Sequence, residues 1–293
     1  MAQIPRLIIL AAGKATRYQT QGSQYLIKSL AEVGPDRERL IEYILYDWYS
    51  AKGKEVTIVV NRDTIPEFKR ALCAWDSRLS ISYALQEILP GEDRPRGTVN
   101  ALLAGIDFSK RADYISCNGD DIYGQEAFSL LISMPKKGHF ATLGYMIGDC
   151  VRDNESKGVS RAVLSWDKAF RLISCTQYDR LGKDGCSIKD LDSGKIIDGT
   201  SGSSMNIFYV DLVAAKKIKE IESKIPYLDH SLMIKRYGRQ EYLLPSLLSD
   251  IAASKKLICK VMPFKIRIPF GLTRQEDLET VKSNIKEHYT HIW

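Results

Sequence analysis

The chain of 293 residues has no CxxC pair among its six cysteines and no metal-ligand spacing among its four histidines. This argues against a zinc site or a dithiol redox centre. No apolar run approaches the ~18 residues that a membrane span requires. The start lacks the charged segment, apolar stretch and small-residue cleavage site of a secretory signal. A cytoplasmic protein with reduced thiols and no membrane contact is expected. Cys117 and Cys259 fall in apolar runs, where a cysteine reads as a small buried hydrophobe. There is no internal repeat and no low-complexity segment. The formal charge is +6, from 42 Lys+Arg against 36 Asp+Glu. The basic residues are dispersed, with only short pairs such as Lys136-Lys137 and Lys255-Lys256. Such an excess can attract phosphate-bearing ligands, but dispersed in this way the basic residues read mostly as solvated surface rather than as a nucleic-acid patch.

What is present reads as one α/β domain with a nucleotide-binding half, 1–140, and an acceptor half, 141–293. Leu7 to Leu10 is an all-apolar run ending in Ala11-Ala12-Gly13, as in a buried parallel strand opening into a loop. Apolar residues at helical spacing between Arg37 and Ser50 predict an amphipathic helix. Val56–Val60, Ile81–Leu85 and Tyr114–Cys117 read as further strands. Alternation of this kind implies right-handed βαβ units and a largely parallel sheet, with ligands at the C-terminal ends of its strands. From Phe140 to Val210 the texture turns to strands and polar connections. Leu257–Met262 reads as a strand and Gln275 to His288 as a last helix.

Two loops fall at those strand ends. Leu10-Ala11-Ala12-Gly13-Lys14-Ala15-Thr16-Arg17 has the spacing of neither a Walker A loop nor a dinucleotide GxGxxG. Its small residues would let backbone N–H groups approach a polyphosphate, with Arg17 able to grip phosphate oxygens; a tight turn with an exposed arginine is the plain alternative. The Asn118-Gly119-Asp120-Asp121 loop sets adjacent carboxylates at a strand end, natural ligands for Mg²⁺ or, equally, a capped turn.

Taken in order, these segments resemble the sugar-phosphate nucleotidyltransferases, which include the glucose-1-phosphate uridylyl- and thymidylyltransferases. Leu10–Arg17 is similar to their LAAG-x-G-T-R signature and Lys28-Ser29-Leu30 to their KPL element. The likeness continues through Gln86, Arg96-Gly97-Thr98-Val99-Asn100-Ala101, Asn118–Gly124, Val159-Ser160-Arg161, Ser204-Met205-Asn206, Glu241–Pro245 and Phe270–Thr273. It covers nearly the whole chain. The resemblance implies a Rossmann-like mixed, mostly parallel sheet flanked by helices, close to the GT-A fold. It implies nucleotidyl transfer from a nucleoside triphosphate, UTP or dTTP, to a sugar 1-phosphate or similar phosphorylated metabolite, with Mg²⁺ as cofactor. A GT-A glycosyltransferase and a non-catalytic nucleotide-binding relative are the competing readings.

The same resemblance places the residues. Leu10, Ala11, Ala12, Gly13 and Lys14 would cradle the triphosphate, and Arg17 and Lys28 would meet charge at the reacting phosphates. Gln86, Gly97 and Thr98 would read the base. Asp120, with Asp121, would hold Mg²⁺, and Arg161, Gln177, Asn206 and Glu241 would line the acceptor half. No Ser/His pair is needed, because a phosphate monoester with a second pKa of about 6 is already an ionised nucleophile. The chain departs from the pattern at four places. Ala15 replaces a loop glycine, and Asn100 stands where relatives often have histidine. Gly271 stands where several relatives, though not all, have an Asp or Asn at the metal, next to Pro269 in place of a common Trp. Gln177 stands where many relatives have a glutamate facing sugar hydroxyls. An amide donor at Gln177 predicts an acceptor carrying its own carbonyl or carboxylate there.

Overall fold

Leu7, Ile8 and Ile9 are fully buried, because the strand that carries them has neighbours on both edges and side chains packed on both faces. The computed structural model describes residues 4–13, 27–92, 94–109, 113–134, 140–151, 158–184, 187–272, 274–290 and 292. Its chain divides into two units, Met1–Pro90 with Ala101–Met134 and Pro269–Trp293, and Gly91–Asn100 with Pro135–Ile268. The boundary expected at residue 140 is thus crossed twice, by 91–100 and by 269–293.

In the first unit, β1 (Arg6–Leu10) lies between β2 (Glu55–Val60) and β4 (Asp113–Asn118), with β3 (Ser80–Leu85) beyond β2; all four are parallel. The ladder runs one residue past the strands: Ala11 N donates to Val59 O at 2.9 Å, Gln86 N to Val60 O at 3.0 Å and Gly119 N to Leu10 O at 2.9 Å. The strands therefore end in register, and the residues expected to carry chemistry leave the sheet along one edge. Gly105, in the helix Thr98–Ser109, lets that helix lie directly on the sheet. A Cβ there would come within 2.6 Å of the Ile8 side chain. The helix Leu40–Ser50 buries Tyr43, Ile44, Leu45 and Trp48, the last edge-on to Phe128 of the helix Gln125–Ile132 at 5.7 Å. The short β5 (Asp121–Ile122) pairs antiparallel with β14 (Phe270–Gly271) near the chain's end. The last helix, Asp277–His288, is followed by Tyr289, whose hydroxyl donates to Asp47 Oδ2 at 2.8 Å. The same oxygen accepts from Gly124 N at 3.0 Å.

The second unit carries an antiparallel sheet. Its order is β10 (Ile196–Ile197), β9 (Ser187–Asp190), β8 (Leu172–Asp184), β7 (Val159–Trp166), β11 (Gly202–Ser204), β6 (Phe140–Met146) and β12 (Phe208–Asp211). One further strand, β13 (Cys259–Pro263), runs parallel to β6. Helices Leu212–Glu222 and His230–Tyr237 each start at an aspartate whose carboxylate accepts a backbone N–H three residues on, Asp211 from Ala214 and Asp229 from Leu232. Cys175 of β8 is buried against the helix Leu244–Ser254, its backbone oxygen accepting from Ser249 Oγ at 2.7 Å. Cys117 and Cys259 are buried as small hydrophobes. Among the described residues no helix is long and apolar enough to cross a membrane.

Candidate active site

Three segments of the first unit converge at the C-terminal ends of β1 and β4. Gly119 is the point of closest approach. A Cβ on it would lie 2.9 Å from Ser29 Oγ and 3.1 Å from both Ala11 Cβ and Leu10 O. Beside it, the 3-10 turn Lys28–Leu30 brings Lys28 Nζ to 3.7 Å from Asp120 Oδ2. Lys28 keeps only 18% of its side chain exposed and Asp120 36%. Burial raises the Asp120 carboxyl above the usual carboxylate range, and the Lys28 charge pulls it part of the way back. In the β1 loop the Ala12 carbonyl is tied down by Asn61 Nδ2 at 2.8 Å. Gly13 is exposed, and a Cβ on it would meet nothing described within 4 Å. Lys14 and Arg17 lie outside the described residues.

Asp121 is placed differently from Asp120. Its Oδ2 accepts from Asn118 Nδ2 at 3.2 Å, and its backbone pairs with Gly271. Gly271 itself explains why no carboxylate stands there. A Cβ would overlap the Asp120 carbonyl oxygen and come within 2.5 Å of Asp121 Oδ1. Among the described residues no three His, Cys, Asp or Glu side chains gather as a metal cluster. Magnesium does not need one, since it keeps several waters and shares substrate phosphates with one or two carboxylates. Asp120, half-exposed beside a cation, fits that requirement, whereas Asp121 is engaged in holding the loop.

Gln86 leaves β3 buried, with 8% of the residue exposed, so it is not a surface glutamine. In the second unit, Gly97 has φ +107°, and a Cβ would fall 2.7 Å from the Tyr242 carbonyl oxygen. Thr98 Oγ1 accepts from Leu244 N at 2.9 Å. The Gly97–Thr98 turn is therefore seated against the segment that carries Glu241, and the structure brings these predicted residues together.

The remaining acceptor residues are not on one face. Ala162 pairs with Gln177 and Arg161 with Tyr178 across β7 and β8. Since directly opposed residues share a face and neighbours alternate, Arg161 and Gln177 project to opposite sides of this sheet. Arg161 spends its donors on the Cys150 and Ser160 carbonyls, at 3.3 and 3.0 Å. Its expected grouping with Gln177 is thus corrected by the pleat. Gln177 also differs from expectation. Its Nε2 donates to Ser160 Oγ at 2.8 Å and to the Tyr178 carbonyl at 3.1 Å. A carbonyl only accepts, so the amide orientation is fixed with NH₂ engaged and Oε1 left as an acceptor. Asn206 has φ +56°, and its Oδ1 is buried without a partner among the described residues. Such an orphaned acceptor is costly unless a ligand donor meets it.

The nucleotidyl transferase family matches residues 6–161 of the 293, more than half of the chain. The chain belongs to the nucleotidyl transferase family. Two solved structures are similar along its length. One is the inositol-1-phosphate CTP transferase from T. maritima, 13% identical with a TM-score of 0.67 and 99% of each chain covered. The other is a UDP-glucose pyrophosphorylase complexed with UDP-glucose, 14% identical with a TM-score of 0.64, covering 97% of this chain and 99% of that one. They share its mixed α/β fold with flanking helices. No curated protein sequence matches the chain significantly. Seen as a nucleotidyl transferase, the chain has residues that sequence reasoning passed over. Arg96, Ser160 and Tyr242 hold the predicted ones in place; all three lie within the resembling blocks, but nothing in the sequence gives them a role of their own.

Proposed function

We propose that this nucleotidyl transferase joins a pyrimidine nucleoside triphosphate, UTP or dTTP, to a polyhydroxylated 1-phosphate such as a sugar 1-phosphate, releasing pyrophosphate. The observation that carries the reading is Lys28 beside Asp120 at the ends of β1 and β4. An acceptor phosphate oxygen, ionised near neutral pH, attacks the α-phosphorus of the triphosphate. One P–O bond forms and the α–β bridge breaks, its electron pair leaving with pyrophosphate. Lys28 faces the charge that grows on the phosphates, a role in which a fixed cation lowers the barrier without moving a proton. Asp120 would hold Mg²⁺, which supplies further charge neutralisation when bound. Past the last ladder bond at Ala11, the backbone of Ala12 and Gly13 would offer N–H groups to the triphosphate.

Gln86 supports a uracil or thymine base, because one amide can donate to a carbonyl and accept from the adjacent ring N–H. Gln177 Oε1 and Asn206 Oδ1 support a hydroxyl-bearing acceptor, since both present oxygens that accept hydrogen bonds. That replaces the carbonyl-bearing acceptor expected from sequence. Pyrophosphate release measured with four NTPs against a panel of sugar and polyol phosphates tests this. The reading fails if ATP or GTP is clearly preferred, or if carboxylated phosphates outrank polyhydroxylated ones.

A further inference from the structure

Arg96 stands immediately before the Gly97–Thr98 turn and does not point its charge to solvent. Its Nε and Nη2 both bond Glu92 Oε1, at 2.8 and 2.7 Å, and Glu92 keeps only 8% of its side chain exposed. The guanidinium carbon lies 4.4 Å from the centre of the Tyr227 ring. Tyr227 in turn donates its hydroxyl to the buried Glu222 at 2.9 Å, at the end of the helix Leu212–Glu222. The backbone is gripped as well. The Arg96 carbonyl accepts from Tyr242 N at 2.8 Å, and Tyr242 O accepts from Val99 N at 3.3 Å. The Tyr242 hydroxyl is itself anchored on Asp250 Oδ2 at 2.8 Å. The turn is thus held by its side-chain neighbour toward Tyr227 and by its backbone toward Tyr242.

Glycine at φ +107° has no side chain to resist rotation, so Gly97 by itself would be the loosest point of this segment. A largely buried arginine whose Nε and Nη2 converge on one carboxylate oxygen and whose planar guanidinium lies over a ring has one orientation. A buried ion pair adds little net stability, because desolvation opposes its attraction. Its strength is in geometry. We infer that Arg96 is a positioning residue that fixes the Gly97–Thr98 turn and thereby the nucleotide's affinity and base selectivity. The inference rests on the reading of Gly97 and Thr98 as base-contacting.

The test compares wild type with Arg96→Met, Arg96→Lys and Tyr227→Phe. Nucleotide affinity is measured calorimetrically with UTP and CTP, beside kcat, KM and thermal unfolding. For Arg96→Met, UTP affinity should fall about tenfold or more, the effect of ~1.4 kcal/mol. KM should rise with it, kcat should stay within about twofold, and discrimination between UTP and CTP should shrink. Arg96→Lys, which keeps a charge for Glu92 but loses the fork and the stack, should recover only part of the affinity. Tyr227→Phe keeps the ring and should stay close to wild type in affinity. If Arg96→Met or Arg96→Lys lowers the unfolding temperature while UTP affinity and UTP/CTP discrimination stay at wild-type values, the residue is structural only and the inference is overturned. Calorimetry needs no turnover. A wild type that binds UTP but releases no pyrophosphate would therefore count against the proposed reaction without deciding on Arg96.

Discussion

Gly271 lies opposite Asp121 on the two-stranded ladder of β14 and β5, and Leu272 N donates to the Asp120 carbonyl at 3.0 Å. The last 25 residues, Pro269–Trp293, belong to the first unit and brace the aspartate loop directly. A carboxylate at position 271 would have to enter through Cβ space already filled by the Asp120 carbonyl and the Asp121 side chain. Gly271→Asp is therefore expected to destabilise the protein by about 1–3 kcal/mol, as overpacking does, and to lower turnover. Thermal unfolding and a Mn²⁺ titration check this. Unchanged stability with tighter Mn²⁺ binding would show that the loop accepts a second ligand.

Asp120 and Asp121 should separate under mutation. Asp120→Ala removes the carboxylate beside Lys28, and turnover should drop about 100-fold or more with the fold retained by circular dichroism. Asp121→Asn preserves an acceptor for Asn118 and should cost less than about tenfold. Chelation of divalent ions should abolish activity in wild type. Equal losses at the two positions would mean that both carboxylates ligate.

Tyr289→Phe removes one donor from Asp47, which is 1% exposed and also takes the Gly124 N–H. The ring contacts with Tyr43 and Tyr46 remain. The expected loss is about 1.5–3 kcal/mol, that of one hydrogen bond to a buried carboxylate. Denaturant unfolding measures it, and a midpoint identical to wild type would contradict the assignment.

Much of the first unit is legible before any fold is known. Leu7–Leu10 and Val56–Val60 announce buried parallel strands because both of their faces are covered. Ile81–Leu85 reads as a strand although only Ala84 is buried, and parallel register then places Gln86 and Asp120 at one edge. The second unit is less legible. The amide of Gln177 meets the Ser160 hydroxyl from 17 positions away, next to a register shift in β7. No local pattern encodes that meeting. The same holds for Arg161, whose face is set by the pleat, and for Arg96, whose partners Tyr227 and Tyr242 are remote in sequence. The segments 91–100 and 269–293 join units across the chain for the same reason: contacts between distant residues decide them.

The fixed amide reverses one expectation. Gln177→Glu would put a carboxylate oxygen where Nε2 now sits, 3.1 Å from the Tyr178 carbonyl, setting two acceptors against each other. For glucose 1-phosphate, kcat/KM should fall by about threefold to tenfold, the worth of one lost hydrogen bond. A rise in kcat/KM would mean that the amide turns when the acceptor binds.

The proposed reaction predicts where each phosphorus atom goes, and isotope transfer follows that directly. With a sugar 1-phosphate and UTP labelled at the α-phosphorus, the label should appear in a nucleotide sugar; with UTP labelled at the γ-phosphorus, it should appear only in pyrophosphate. Lys28→Ala should slow both by the same factor, lowering kcat and kcat/KM together. Release of γ-label as orthophosphate, or recovery of α-label as free UMP with no nucleotide sugar formed, would contradict the account.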